Sequence, residues 1–433
     1  MIRVLIPSTL GVCIVAGLLC SLLEADTPED WENQARSLVS AGDTHGALEA
    51  LAKAAAAGPV TAASEDRIGF LFAVLKRPDD ARAHFQKALS LDPNFPGAHY
   101  HLGMLYWIAN KQDLAIAELE QAAKLGPQIF DYQYHLGSAY LRMGDPAKAI
   151  PPLKQAVAID SSMFAGWVDL GAALMQSSDF AGAVDAYRHA LTIDPTKDAA
   201  RNDLAYVLIE TRQPNRGIEE SRTVLSHDPK NTAALMNIGY ADIKTGDFEG
   251  AEKAYRDALA IDPTAAAHYD LGLALKLRDQ IEAAQSEFKE AMRLNPTLAQ
   301  AHYSLGITYW QTGNFDDAKK EMRSAVEITP DYAEAHYMLG ILLKQTGDLD
   351  TAAAELKEAI RLDSSTPGPY NTLGQILRIK GDKQASEEMF ATGARLKREQ
   401  ESILANTLEQ GMRGGEVVKP LVQTPQPAGG GAH

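Results

Sequence analysis

Four histidines are the residues most suggestive of chemistry, because they recur at equivalent points of a repeated pattern. They are His99, His268, His302 and His336, and the last three fall in consecutive repeats. A row of imidazoles could hold metal ions, but the donors to one ion must lie within a few ångströms of each other. Equivalent residues on neighbouring packed helices lie about 8–10 Å apart. We therefore interpret these histidines as flat, amphipathic rings packed against a core, and we predict no metal site.

The sequence contains no other recognisable catalytic or cofactor-binding arrangement. Its two cysteines, Cys13 and Cys20, both lie in the first apolar segment, which excludes disulfides, thiolate metal sites and cysteine nucleophiles from the rest of the chain. It has no phosphate-binding glycine loop and no H-E-x-x-H, C-x-x-C or G-x-S-x-G motif. We therefore predict no catalytic residue and no cofactor, and a protein that is not an enzyme.

The histidines belong to a pattern that is clearest over residues 299–332. Leu305 and Tyr309 fall on one face of a first amphipathic helix at four-residue spacing. Gly313 can adopt the positive φ needed where this helix ends, and Pro330 stops a second helix with its own apolar stripe. One such pair cannot bury its apolar faces alone, so it needs copies of itself on either side.

The same pattern recurs along residues 28–400 as eleven units, ten of 34 residues and one of 33 residues at 232–264. This period and pattern resemble the tetratricopeptide repeat (TPR) family, whose units are helix–turn–helix pairs of 34 residues. The resemblance implies an all-α, right-handed α-solenoid of about eleven TPR-like units. In the sixth unit Ala205 replaces the usual glycine and Gly217 the usual alanine, which predicts weaker local packing and a softer joint in mid-array.

In TPR proteins the first helix of each unit lines a concave groove, and the resemblance implies a partner-binding surface there. If positions are counted from the first residue of each unit, the family's groove is commonly lined by positions 2, 5, 9, 12 and 13. Here positions 5, 9 and 12 carry aromatic and cationic side chains and a methionine within an acidic chain. The candidate groove residues are Tyr100, Met104, Trp107, Tyr134, Tyr269, Lys276, Tyr303, Trp310, Tyr337, Lys344 and Arg378. Rigid stacked helices would present them pre-ordered to a peptide or helix of a protein partner, above all in units 8–11.

Two alternatives to partner binding stay open for this groove. Its side chains could fill a narrow interior and bind nothing. They could instead make the protein a carrier that binds a small or glycan-like ligand on tyrosine and tryptophan faces, which would need a closed pocket of limited size. The lysine and asparagine clamp by which some TPR proteins grip chaperone tails is absent, so that ligand is not implied.

The charge of the chain narrows the choice of partner. Its formal net charge is −16, and an acidic surface repels the phosphate backbone of nucleic acids. We therefore predict no nucleic-acid partner. The plainest interpretation of the charge is a solvated outer face that keeps an extended array soluble.

Residues 1–25 have the features of an export signal, with Arg3 followed by an uncharged apolar run over residues 4–23. The run suits a cleaved signal peptide, while an uncleaved N-terminal membrane anchor and lipid attachment at Cys20 are the alternatives. Each of these predicts an extracytoplasmic protein, either periplasmic or secreted. Membrane contact is expected only through this segment, if it is uncleaved.

The C-terminal end of the pattern differs from its interior. The last unit lacks the terminal proline, so its second helix can continue from Lys383 and form a capping helix extension over residues 401–412. Residues 413–433 are rich in glycine and proline, which predicts a disordered tail.

Overall fold

The computed structural model describes residues 27–58 and 60–413, which form 22 α-helices with no strand among them. The predicted all-α architecture of helix pairs is thus confirmed, whereas the proposed export segment lies outside the described residues. The helices are α1 (Pro28–Ser40), α2 (Thr44–Ala56), α3 (Ala62–Val74), α4 (Pro78–Leu91), α5 (Pro96–Ile108), α6 (Gln112–Leu125), α7 (Phe130–Arg142), α8 (Pro146–Ile159), α9 (Phe164–Gln176), α10 (Phe180–Ile193), α11 (Asp198–Glu210), α12 (Pro214–His227), α13 (Thr232–Thr245), α14 (Phe248–Ile261), α15 (Ala265–Leu277), α16 (Ile281–Leu294), α17 (Ala299–Gln311), α18 (Phe315–Ile328), α19 (Ala333–Gln345), α20 (Leu349–Leu362), α21 (Pro367–Ile379) and α22 (Lys383–Arg413).

Each repeat is a pair of helices packed on each other, as α17 packs on α18 and α21 on α22. The second helix of a repeat also packs on the first helix of the next, as α18 does on α19. First helices touch one another as well, as α3 touches α5. The apolar core is therefore spread along the stack of helices rather than gathered at one centre. Of the helices in the described residues, none is both long enough and apolar enough to cross a membrane.

The repeat at residues 299–332 shows how the sequence pattern produces this packing. Ala318, Met322 and Ala325 of α18 are fully buried, and Leu305 of α17 is nearly so. The alanines let the two helices approach closely, and the methionine fills the space between them. The apolar stripes read from the sequence are therefore the faces on which these helices pack.

The turn inside each repeat depends on a residue with positive φ. Gly313 follows α17 with a φ of +79°, as predicted, and its N–H donates a hydrogen bond to the carbonyl of Trp310. Glycine is favoured there because it has no Cβ to clash. Five other turns place a different residue at positive φ, namely Lys76, Asn110, Ser178, Arg212 and Asp279. The turn geometry is thus kept even where the glycine signal is missing from the sequence.

The sixth repeat corrects one sequence inference. A Cβ added to Gly217 would lie 2.8 Å from the carbonyl oxygen of Ala205 and 2.7 Å from Cγ1 of Ile209. Both distances are too short, so the glycine missing from α11 has been replaced by one on α12. The exchange of Ala205 and Gly217 keeps the close approach of the two helices, and it is not a source of weaker packing. The softer joint stays a prediction.

The chain divides into two compact units, one ending at Glu220 and one beginning at Ser221, so the boundary falls inside α12. The second unit ends with α22, in which Leu396 is still buried and residues 397–403 are exposed to solvent. Arg413, predicted from the sequence to begin the tail, belongs to this helix. Residues 414–433 lie outside the described part of the chain.

Candidate partner-binding surface

The four repeated histidines are engaged inside their own repeats. The imidazole Nδ1 of each lies 2.6–2.7 Å from a glutamate carboxylate 19 residues further along, on the second helix of the same repeat. The pairs are His99–Glu118, His268–Glu287, His302–Glu321 and His336–Glu355. We call each a His–Glu clasp. Within the described residues no group of three or more potential ligands could hold a metal ion.

The clasp also occurs with its two residues exchanged. In the second repeat Glu65 occupies position 4 of α3 and His84 lies 19 residues later on α4, with Nδ1 2.6 Å from the carboxylate. Glu65 is 1% exposed, and its carboxylate also forms an ion pair with the ammonium of Lys87 at 2.7 Å. Clasping the two helices of a repeat therefore requires the pair and not a particular order.

The predicted groove tyrosines at position 5 mostly join one repeat to the next. The hydroxyl oxygen of Tyr100 lies 3.3 Å from Nδ1 of His135. Similar contacts across 35 residues join Tyr134 to Asp169, Tyr269 to Ser304 and Tyr337 to Thr372. Tyr303 instead packs against the ring of Tyr332, with centroids 5.1 Å apart. We call these residues, apart from Tyr303, the tyrosine struts, since each spans two first helices.

Burial of the phenols has the expected electrostatic effect. Removal from water disfavours the phenolate and raises the pKa of Tyr100 and of Tyr303 to about 12. Nearby carboxylates act in the same direction, Asp131 on Tyr100 and Glu334 on Tyr303. These tyrosines therefore stay neutral, and they offer a partner only the parts of their rings that packing leaves uncovered.

Three of the predicted residues do meet around one concavity. Met104 and Trp107 of α5 and Tyr134 of α7 line a depression of about 230 Å³, together with Arg142. Beside Trp107, at position 13, Ile108 is 80% exposed. An aromatic depression and an exposed isoleucine on the same helix are an unusual combination for a surface that only faces water.

The same face continues onto the preceding repeat, where sequence reasoning had named no residue. Phe70 and Val74 of α3 are about half exposed. The Phe70 ring lies 5.3 Å from that of His101, which in turn pairs with Asp66 at 2.8 Å. Phe70 stands at position 9 and Val74 at position 13, so groove numbering alone was enough to find them. We call Phe70, Val74, Met104, Trp107 and Ile108 the α3–α5 apolar surface.

The predicted cations occupy three different environments. Lys276 lines a second concavity, of about 190 Å³, whereas Lys344 donates a hydrogen bond to the side-chain oxygen of Gln375. Burial lowers the pKa of both ammonium groups. Arg378 is exposed, next to Ile379, which is 63% exposed.

Trp310 is half-buried and packs against the apolar core around Leu339. The described structure therefore does not gather all the predicted residues into one site.

These features define a class of protein built from stacked helix pairs, with apolar and aromatic side chains displayed on its first helices. Three family models match the chain. A tetratricopeptide repeat model matches residues 33–94, 71–128, 269–332 and 303–367, and a second matches residues 130–163. The third, the TPR domain of cytochrome c-type biogenesis protein H, matches residues 152–269. The chain belongs to the tetratricopeptide repeat family.

Solved structures give a more distant comparison. A crystal structure of MamA is 24% identical, with a TM-score of 0.36, and the match covers 38% of this chain and 97% of that one. A structure of Naa15/Naa10 bound to HypK-THB is 17% identical, with a TM-score of 0.41, and the match covers 90% of this chain and 66% of that one. No curated protein matches the chain.

Proposed function

We propose that this TPR protein is a non-enzymatic interaction scaffold that binds a peptide or helix of a protein partner on the α3–α5 apolar surface. The observation that carries the proposal is Ile108, which is 80% exposed and directly follows Trp107, a residue that lines the depression. A large aliphatic side chain in water gains free energy when a partner covers it, on the order of 1.5–3 kcal/mol for complete burial.

The surface has the features of a peptide-binding face. Its apolar side chains come from two first helices that pack on each other, so a partner can contact both at once. The depression of about 230 Å³ beside Trp107 accepts one anchoring side chain rather than a whole helix. Packed helices hold these residues in place before binding, which reduces the entropy lost on association.

The predicted residues of units 8–11 form a second, weaker candidate surface. Tyr269 and Tyr337 serve as struts there, Lys344 is hydrogen-bonded, and Trp310 packs on the core. Ile379 supplies an exposed apolar side chain at position 13, as Ile108 does in the third repeat. The two isoleucines therefore allow the N-terminal and C-terminal surfaces to be tested against each other.

We also propose that the protein acts outside the cytoplasm. Support comes from the sequence of residues 1–25, with one basic residue before an uncharged apolar run. Intact-mass measurement of the protein purified from its native cells distinguishes the cases. A chain beginning near Asp26 indicates signal cleavage, a full-length chain in the membrane fraction indicates an anchor, and a full-length chain in the cytoplasm contradicts export.

The binding proposal is tested by capturing partners with the full chain and with Ile108→Glu. Burying a carboxylate against an apolar partner is costly, so we expect recovery of the partner to fall at least tenfold. Trp107→Ala, which removes the wall of the depression, is expected to have a similar effect. Recovery is measured by quantitative mass spectrometry after cross-linking in native extracts.

Ile379→Glu is the matched control, because it places the same charge at the same repeat position on α21. It is expected to leave recovery unchanged, and circular dichroism of all variants should match the wild type. Loss of the partner with Ile379→Glu but not with Ile108→Glu would move the binding surface to the C-terminal repeats. Equal recovery by all variants would contradict binding on either surface.

A further inference from the structure

The concavity formed by α13, α14 and α15 contains two half-buried side chains of opposite charge. Asp270 and Lys276, both on α15, line it. Among the described residues, neither the Asp270 carboxylate nor the Lys276 ammonium has a hydrogen-bond or ion-pair partner. Many other half-buried charges among the described residues are paired, as in the His–Glu clasps. Two unpaired charges around one cavity are therefore the exception that needs a reason.

The rest of the lining is apolar or phenolic. Ile243, Leu273 and Leu277 provide aliphatic walls, and the rings of Tyr240 and Tyr255 complete them. Tyr255 is only 2% exposed, and the Asp270 charge helps to raise the pKa of its hydroxyl. The carboxylate thus lies near the phenol, and both are presented to the same small volume.

The size of the concavity limits what can enter it. Its volume is about 190 Å³, which corresponds to roughly six water molecules at ~30 Å³ each. Pockets for drug-sized ligands are larger, at roughly 300–1,000 Å³. A partner helix is excluded on size, whereas a molecule as large as one amino acid fits.

Charge then selects among small molecules. A neutral ligand would leave both charged groups without partners, a cation would meet Lys276, and an anion would meet Asp270. Only a ligand that carries both charges satisfies both side chains. We propose that this concavity binds a small dipolar molecule of the amino-acid class, with its ammonium toward Asp270, its carboxylate toward Lys276 and its apolar body against the aliphatic walls.

The electrostatics of the concavity agree with this assignment. Burial raises the pKa of the Asp270 carboxyl to about 6 and lowers the pKa of the Lys276 ammonium. Each charge is therefore held in an unfavourable environment, which a bound counter-charge would offset. The site goes beyond the proposed scaffold function, since the α3–α5 apolar surface contributes no residue to it.

The test is isothermal titration calorimetry of the full chain at pH 7.5 with two dipolar probes, L-leucine and 6-aminohexanoate. The Cα atoms of Asp270 and Lys276 are separated by about 9 Å along the helix axis, at 1.5 Å per residue, so the two probes sample a short and a long charge separation. The comparison ligands are 3-methylbutylamine, which is leucine without its carboxylate, and 4-methylpentanoate, which is leucine without its ammonium. We expect at least one dipolar probe to bind at least tenfold more tightly than either comparison ligand.

Variants connect this binding to the two charges. Asp270→Asn and Lys276→Met are each expected to weaken binding of the dipolar probe at least tenfold. The matched controls are Asp242→Asn, since burial also raises the pKa of Asp242 to about 6, and Lys344→Met, since burial also lowers the pKa of Lys344. Neither residue lines the concavity, so both controls are expected to bind as the wild type does.

Three results would overturn the proposal. They are an absence of saturable binding of both dipolar probes at millimolar concentration, equal binding of the singly charged ligands, and equal losses in the control variants. Capture of the protein partner by the wild type and by Ile108→Glu is a separate experiment. Failure of the dipolar site therefore leaves the scaffold proposal standing, and failure of the scaffold leaves this site to be judged by calorimetry alone.

Discussion

At the scale of single residues, an imidazole and a carboxylate join the two helices in repeats 2, 3, 8, 9 and 10. The sequence pointed to the histidines but not to their partners, because a comparison of equivalent positions between repeats does not reveal pairs within one repeat. The signal was present, since a glutamate follows each of the four histidines by 19 residues. Arg201 replaces the histidine in the sixth repeat and contacts Glu220 at 2.6 Å, so a guanidinium can take the place of the imidazole in this pair.

The exchanged clasp of the second repeat leads to a prediction for the tenth. In His336→Glu two carboxylates face each other, and in Glu355→His two imidazoles do, so each single variant is expected to lower the free energy of unfolding by about 1–3 kcal/mol. The double variant recreates the order seen in Glu65 and His84 and is expected to recover at least half of that loss. Urea denaturation of the full chain at pH 7 measures the difference.

The clasp interpretation fails if the decrease in the free energy of unfolding of the double variant equals the sum of the decreases of the two single variants. Residues in contact should instead show a coupling energy in the double-mutant cycle. A useful comparison is the same exchange at His45 and Glu49, which pair on the exposed surface of α2 at 3.3 Å. There we expect changes within about 0.5 kcal/mol, because exposed ion pairs contribute little.

At the scale of elements, helix existence and pairing were predictable, while the distribution of small residues was not. Position 8 carries glycine in most repeats, and its absence at Ala205 suggested a packing defect. The structure shows that Gly217 supplies the missing space from the opposite helix. A pattern read along one helix could not reveal this, because close approach depends on the sum of two facing side chains.

This compensation predicts an order of stabilities for the sixth repeat. Gly217→Ala places a methyl group 2.8 Å from the Ala205 carbonyl oxygen and is expected to lower the free energy of unfolding by about 1–3 kcal/mol. Adding Ala205→Gly restores the arrangement of the other repeats and should recover part of the loss. Ala205→Gly alone is expected to cost about 1 kcal/mol, from helix propensity. Thermal denaturation followed by circular dichroism ranks the variants, and a double variant less stable than Gly217→Ala would contradict the compensation.

The candidate surface shows a similar limit of sequence reasoning. Tyr134, Met104 and Trp107, which were predicted as groove residues on first helices, line one depression. The tyrosine struts were not foreseen, because a tyrosine that binds a partner and one that binds the next repeat have the same position in the pattern. Ile108 was missed although position 13 belongs to the groove, since the prediction named residues only at positions 5, 9 and 12.

At the scale of the molecule, two carboxyl groups tie the stability of the second unit to pH. Burial raises the pKa of Asp242 and of Asp270 to about 6, from an ordinary value of 3.8. The folded state then holds these protons more tightly than the unfolded chain does. Their contribution to stability is therefore greatest below about pH 4 and is lost as the pH rises from about 4 to about 6.

Asp270→Asn isolates this contribution. The amide carries no charge at any pH, so the variant is expected to be more stable than the wild type by about 2 kcal/mol at pH 7.5. At pH 4 the two proteins should be equally stable within about 0.5 kcal/mol. Urea denaturation at both values checks this, and an equal difference at pH 4 and pH 7.5 would show that burial of the charge is not the cause. If the dipolar site exists, the gain in stability will accompany a loss of binding.

The short sequence separations between contacting residues affect how the protein folds during its synthesis. Clasps join residues 19 apart, and the strut at Tyr100 joins residues 35 apart. These contacts therefore close only short loops of the chain. Short sequence separations between contacting residues mean a low contact order, which favours rapid folding. As the polypeptide emerges from the ribosome, a repeat can close its clasp once its own second helix has appeared, and it docks as soon as the next first helix follows. Assembly of this protein can keep pace with its synthesis.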